Sequence, residues 1–196
     1  MNALKQIDVK FFARDGADIE SLVFVGVLQR FIQEHTVPGV LVDVADYSHM
    51  HHGPGVILIG HEANISIDYA EGRMGLRYRY RKIVEDSFQD ALRTALTGAL
   101  TACVELERDA DLKGRLVFAG DAVQIAANDR LNAPQDAALG ENFVEDIRTV
   151  LSSFYSDPAT VTLCDADSRE RLTVEVSGDE STVSTLLERL QAGVAK

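Results

Sequence analysis

Residues 56–81, VILIGHEANISIDYAEGRMGLRYRYR, decide the fold class. Three extended runs lie here, separated by short, turn-like gaps. The run 56–59 has no polar position and reads as a central strand. Ile65, Ile67 and Tyr69 alternate with Ser66 and Asp68, and Leu76, Tyr78 and Tyr80 alternate with Arg77, Arg79 and Arg81. Each of these runs therefore has one apolar and one wet face. Gaps this short favour hairpins, because a parallel crossover needs a dozen or more residues.

Working outward, further β-type runs occupy 7–12, 40–45, 116–119, 122–127, 160–164 and 171–177. Helical periodicity predicts four main helices, over 18–35, 85–103, 141–155 and 181–192. The first has a broad stripe, with Ile19, Leu22, Val23, Val27 and Phe31 on one face and Phe24, Leu28 and Ile32 widening it. The last opens with Ser181 as its N-cap. The expected fold is α+β, a mixed or antiparallel sheet with about four main helices. Residues 1–128 form the helix and sheet region that bears a His-rich loop. A loop occupies 129–141, and 129–196 is a helix-hairpin-helix completion of the same domain or, alternatively, a second subdomain.

An internal repeat supports duplicated helix-hairpin units. At an offset of 60, GVILIGHEANI (55–65) matches RLVFAGDAVQI (115–125) at Gly60/Gly120 and Ile65/Ile125, and Val84-Glu85-Asp86 maps onto Val144-Glu145-Asp146. The order helix, strand, turn, strand then recurs over 18–60, 85–120 and 141–177.

The chain has 196 residues, 46% hydrophobic and 26% charged, which excludes a disordered tail, a collagen-like repeat and a coiled-coil rod. Its net charge is −12, and nearly all of the excess acid lies in 83–196, with 10 basic against 21 acidic residues. Such a surface repels nucleic acid and anionic lipid. No apolar run approaches the roughly 20 residues of a membrane span. The longest, LVFVGVL at 22–28, is far shorter, and the N-terminus lacks the layout of a signal peptide. Cys103 and Cys164 read as reduced thiols of a cytoplasmic protein.

Candidate chemistry concentrates in 40–64, where four of the five histidines fall. His49 and His51 point the same way on an extended backbone, and Asp46 could complete a divalent metal site such as Zn. If 40–45 and 56–59 pair as a hairpin, His61 lies past the far end, roughly 20 Å away at about 3.3 Å per residue. His61 and Glu62 are a candidate general-base pair if a turn brings them together. Arg77, Arg79 and Arg81 form an arginine ladder able to bind phosphate or an acidic partner. A nucleic-acid-binding sheet needs aromatics and cations on one face, and here they lie on opposite faces. Nucleophile elbows, phosphate-binding loops and zinc-protease motifs do not occur.

The stretch DVADYSHMHHGPGVILIGHEANISID (43–68) resembles a family of uncharacterised bacterial proteins with a DVADY-x-H pattern followed by GPGV and L-I-G-H-E. The likeness continues more loosely through the strand bearing Tyr and Arg. The family has no assigned activity, so the resemblance implies no catalytic residues. The sequence is read as a non-catalytic binding or assembly domain that acts as a homodimer without a cofactor. Two features suggest the dimer: the broad apolar face of 18–35 and an arginine face in an acidic chain. The alternative is a metal-binding protein or metal-assisted enzyme using 43–62.

Overall fold

A computed structural model describes residues 4–14, 17–50, 53–81, 83, 85, 87–129, 133, 137–164 and 170–194. Eight strands form one sheet: β1 (Ile7–Ala13), β2 (Leu41–Asp46), β3 (Val56–Gly60), β4 (Ala63–Asp68), β5 (Gly75–Tyr80), β6 (Phe118–Ala127), β7 (Thr160–Leu163) and β8 (Thr173–Ser177). Four helices accompany them: α1 (Ser21–Glu34), α2 (Phe88–Arg108), α3 (Ala137–Leu151) and α4 (Val183–Val194). The sheet order is β2-β3-β4-β5-β1-β6-β8-β7, and every pairing is antiparallel. The α+β expectation holds, in its antiparallel form.

The chain follows one plan twice. From the centre, β1 passes through α1 to the far edge, and the meander β2–β5 returns to pair with β1 before α2. Then β6, beside β1, passes through α3 to the other edge, and β7–β8 returns to pair with β6 before α4. Helix-hairpin units thus occur as α1-β2-β3 and α3-β7-β8, matching the first and third of the three expected occurrences. The middle one does not form. The stretch expected as a hairpin over 116–127 is the single strand β6, so the 60-residue offset overlays the β3–β4 hairpin on one strand. Val84 and Asp86, part of that offset, lie outside the described residues.

The cause is local. The pairing of β6 with β1 shifts between Phe11↔Val123 and Ala13↔Phe118, so Gly120-Asp121 sits in a bulge instead of a turn. A Cβ on Gly120 would overlap the carbonyl oxygen of Ser181, and that glycine's own carbonyl accepts from Tyr155 Oη at 2.8 Å. This glycine serves close approach of the chain before α4.

Alternation sorts the sheet into two faces. On one, Leu58, Ile65, Val9, Ile125 and Val174 lie in a cross-strand row, all 3% exposed or less. The helices pack on this side, α1 over β2 and β3, α2 over β1 and β5, and α4 over β6. The expected face of α2, from Phe88 through Leu92, Ala95, Leu96 and Ala99 to Cys103, is buried throughout. Ser87 caps it, its Oγ accepting from Asp90 N–H at 3.1 Å. In α1 the buried face is Phe24, Val27, Leu28 and Phe31, while Leu22, placed on that face by periodicity, is 71% exposed. The N-cap of α4 is Thr182, whose Oγ1 accepts from Thr185 N–H, and not Ser181. Helix α3 starts inside the loop expected over 129–141. Within the described residues, no helix is long and apolar enough to cross a membrane.

Gly120→Ala should lower stability by about 1–3 kcal/mol, because the added methyl meets backbone that cannot rotate away. Gly26→Ala, inside α1 with nothing within 4 Å of the new Cβ, should instead raise it by up to about 1 kcal/mol. Urea denaturation of both variants checks the contrast.

Candidate functional site

The second face of the sheet carries charge where the first carries aliphatic side chains. In β1, Asp8 and Lys10 alternate with Ile7, Val9 and Phe11, yet they are only 3% and 2% exposed. Burying ions is costly unless they are paired. The register supplies the partners, setting Asp8 opposite Arg79 and Lys10 opposite Arg77. Asp8 accepts from Arg79 Nε and Nη2, both at 2.9 Å, and from Arg171 Nη1 at 2.6 Å. The two-pronged contact is the geometry that guanidinium and carboxylate favour. It raises the Arg79 pKa from its ordinary value.

Lys10 Nζ sits 3.4 Å from Asp68 Oδ1 and donates to the carbonyls of Ala70, at 3.3 Å, and Arg73, at 2.8 Å. It thereby ties the 3-10 turn Ala70–Gly72, which joins β4 to β5, to the central strand. Arg77 Nη2 lies 2.6 Å from Asp68 Oδ2, a charge contact that lacks hydrogen-bond alignment. Burial pushes the Arg77 guanidinium down from its ordinary value, against the pull of Asp68 and Asp8. The guanidinium of Arg73 stacks 3.5 Å over the Phe12 ring, and its Nη1 reaches Glu175 at 3.2 Å. The described members of this network are five cations (Lys10, Arg73, Arg77, Arg79, Arg171) and three carboxylates (Asp8, Asp68, Glu175).

Two of the three ladder arginines therefore share one network. Arg81 does not: its Nη2 donates to the Gly60 carbonyl and its backbone N–H to Glu62, bracing the β3–β4 turn. The role of Asp8 was not read from the sequence. The signal was present, because Asp8 and Lys10 share one parity of a strand whose other parity is wholly apolar.

The histidine segment divides between the two ends of β3. Asp46 closes β2, accepting from Ser48 N–H at 2.8 Å and from Ser21 Oγ at 3.5 Å. Hydrogen bonds from Ser48 chiefly, and from Ser21, lower its pKa, and the charge of nearby His49 adds to this. His49 is exposed in the following loop, its ring 6.5 Å from that of Tyr47. His51 lies outside the described residues. Among the described residues, no three His, Cys, Asp or Glu side chains converge as a metal site would require. At the opposite end of β3, His61 Nδ1 meets Glu62 Oε1 at 3.1 Å. The two-residue turn between β3 and β4 brings this pair together, as a continuous strand would not. The hydrogen bond from His61 lowers the Glu62 pKa, and its Oε2 accepts from Val40 N–H at 3.3 Å. Both side chains stand in solvent, 55% and 41% exposed.

Of the thiols, Cys103 is fully buried and burial pushes its pKa well up, the opposite of what a nucleophile needs. No family model, curated protein or solved structure matches the chain.

Asp8→Asn should cost about 2–3 kcal/mol, below the roughly 3–5 kcal/mol for breaking a wholly buried pair, because Arg79 and Arg171 reach solvent. Arg171→Gln should cost under about 1 kcal/mol, since a half-solvated pair contributes little. Denaturant midpoints of the two variants measure the difference.

Proposed function

We propose that this chain is a non-catalytic binding and assembly domain, bacterial and cytoplasmic, that works as a homodimer and receives an anionic partner on the arginine-lined face of its sheet. One observation carries the reading: in a chain of net charge −12, the ionic network on the face opposite the helices has, among the described residues, five cations and three carboxylates. A cationic surface within an acidic molecule steers anions to one place. The carboxylates there are engaged by arginine and lysine. Tyr80 is buried toward the helices, and burial raises the Tyr78 pKa to about 12. These two aromatics of β5 therefore do not share the face of Arg77 and Arg79, as base stacking along that strand would need. Unbridged Cys103 and Cys164 agree with a reducing compartment.

Support for self-association comes from the β2 edge. Val40 and Val42 are 61% and 62% exposed along it, and Leu22 stands exposed at the start of α1. The register of β2 skips Val42, and this bulge blunts strand-to-strand addition, leaving side-chain packing as the mode of contact. Apolar side chains grouped at one edge suit a two-fold interface. Size exclusion with light scattering should report about twice the 21.4 kDa chain mass, with micromolar affinity or better, and Val42→Lys should return it to one chain mass. A wild-type monomer at high concentration overturns the dimer.

The metal reading of 43–62 has a narrower basis, His49 beside Asp46. Its test is metal content of untagged protein and Zn²⁺ titration of wild type and a His49→Ala/His51→Ala double variant. We expect no stoichiometric uptake. Uptake that the double variant loses would replace the cofactor-free reading.

A further inference from the structure

Beside the ionic network the sheet opens into a cleft of about 1080 Å³. Arg77 and Arg79 line it from β5. Tyr69 contributes from the connection after β4, Ser48 and Pro54 from the segment between β2 and β3, and Ser21 from the first turn of α1. These pieces come from four separate parts of the chain; Asp68 lines the cleft as well, and two features favour an anionic guest.

The first is Arg77. Its side chain is 15% exposed, and among the described residues the carboxylate that meets it, Asp68, does so without hydrogen-bond alignment. A guanidinium carries five N–H donors in a planar fork that matches carboxylate or phosphate oxygens. Arg79 beside it is already held by Asp8 and presents a fixed second positive charge. The second feature is the rim. Ser21 and Ser48 bring hydroxyls within 3.3 Å of each other, and α1 begins there with no side chain capping its N-terminus. Backbone N–H groups at such a terminus favour an anion. Asp46, the nearby carboxylate, is turned onto Ser21 and Ser48.

Volume narrows the guest. A bare inorganic ion would leave most of the cleft empty, whereas pockets of roughly 300–1,000 Å³ suit small organic molecules. Pro54 and Tyr69, which also line the cleft, offer apolar surface.

We propose that this cleft binds a small organic anion, a phosphate or carboxylate on an apolar body, with the anionic group on Arg77 and Arg79 and the body against Tyr69 and Pro54. The proposal rests on the arginine face as an anion-receiving surface and names the class of its ligand.

The test is isothermal titration of the full chain with phenyl phosphate, benzoate, inorganic phosphate and uncharged benzyl alcohol, at low salt and at 150 mM NaCl. Phenyl phosphate or benzoate should bind saturably, more tightly than inorganic phosphate and weaker as salt rises, and benzyl alcohol should not bind. Which of the two binds better identifies the head group. Ser48→Glu, an exposed position that sets a carboxylate at the rim, should weaken binding at least about tenfold with the melting temperature unchanged. Arg77→Lys keeps a cation beside Asp68 but loses the fork, and should weaken binding comparably. No saturable binding of either organic anion, or wild-type affinity in both variants, overturns the proposal. Light scattering on the same samples keeps the outcomes apart: lost assembly with intact binding defeats the dimer alone, and intact assembly without binding defeats the cleft.

Discussion

The central strand β1 is buried on both faces, and it meets this constraint with two different chemistries. Toward the helices it presents Ile7, Val9 and Phe11, each fully buried. Toward the other side it presents Asp8 and Lys10, whose burial is tolerable only with partners in place. The antiparallel register with β5 provides them, so that Lys10 lies opposite Arg77 and Asp8 opposite Arg79. A slip of one residue would turn Leu76 and Tyr78 toward the charges and the arginines into the aliphatic layer. The ionic face therefore specifies alignment more than it adds stability. Lys10 extends the same control to the β4–β5 connection through the carbonyls of Ala70 and Arg73.

Periodicity exposed much of this arrangement because each strand keeps a strict parity. The Leu76-Tyr78-Tyr80 and Arg77-Arg79 split survives intact in β5, and the buried faces of α2 and α3 are the ones their spacing predicts. Periodicity does not distinguish a charged face open to water from one roofed by its neighbours. Asp8 and Lys10 occupy the polar positions of β1, yet Arg79 and Arg171 engage Asp8 and the carbonyls of Ala70 and Arg73 engage Lys10, and both are buried. Gly120-Asp121 reads as a turn because glycine and aspartate favour turns. The deciding factor was the Ser181 backbone passing Gly120, a contact 61 residues away in sequence and invisible to local pattern. Leu22 misled for a related reason: α1 lies at the end of the sheet and packs chiefly on β2 and β3, which leaves part of its broad apolar stripe uncovered.

The candidate sites differ in how far they depend on such distant contacts. His61 and Glu62 are neighbours in sequence, and one turn suffices to join them, so their pairing was conceivable from the residues alone. The cleft was not. Ser21, Ser48, Tyr69 and Arg77 carry no shared motif, and they meet because the connection from β1 to α1, the β2–β3 segment and the β4–β5 connection all emerge at one end of the sheet.

That convergence follows from the topology itself. In the first half, α1 must carry the chain from the centre to the far edge, and the meander must return to β1. Alternate connections of an antiparallel meander fall at the same end, so the start of α1 meets the connections that follow β2 and β4. This end also adjoins the face from which helices are absent, since all four pack on the aliphatic side. Polar groups from connections and cations from strands can therefore face one space without entering the core. A second half with only two returning strands provides fewer connections at its own edge. The longer meander is what brings several connections of the first half to one cleft, and Arg77 and Arg79 line it because β5 is the strand that brings the meander home.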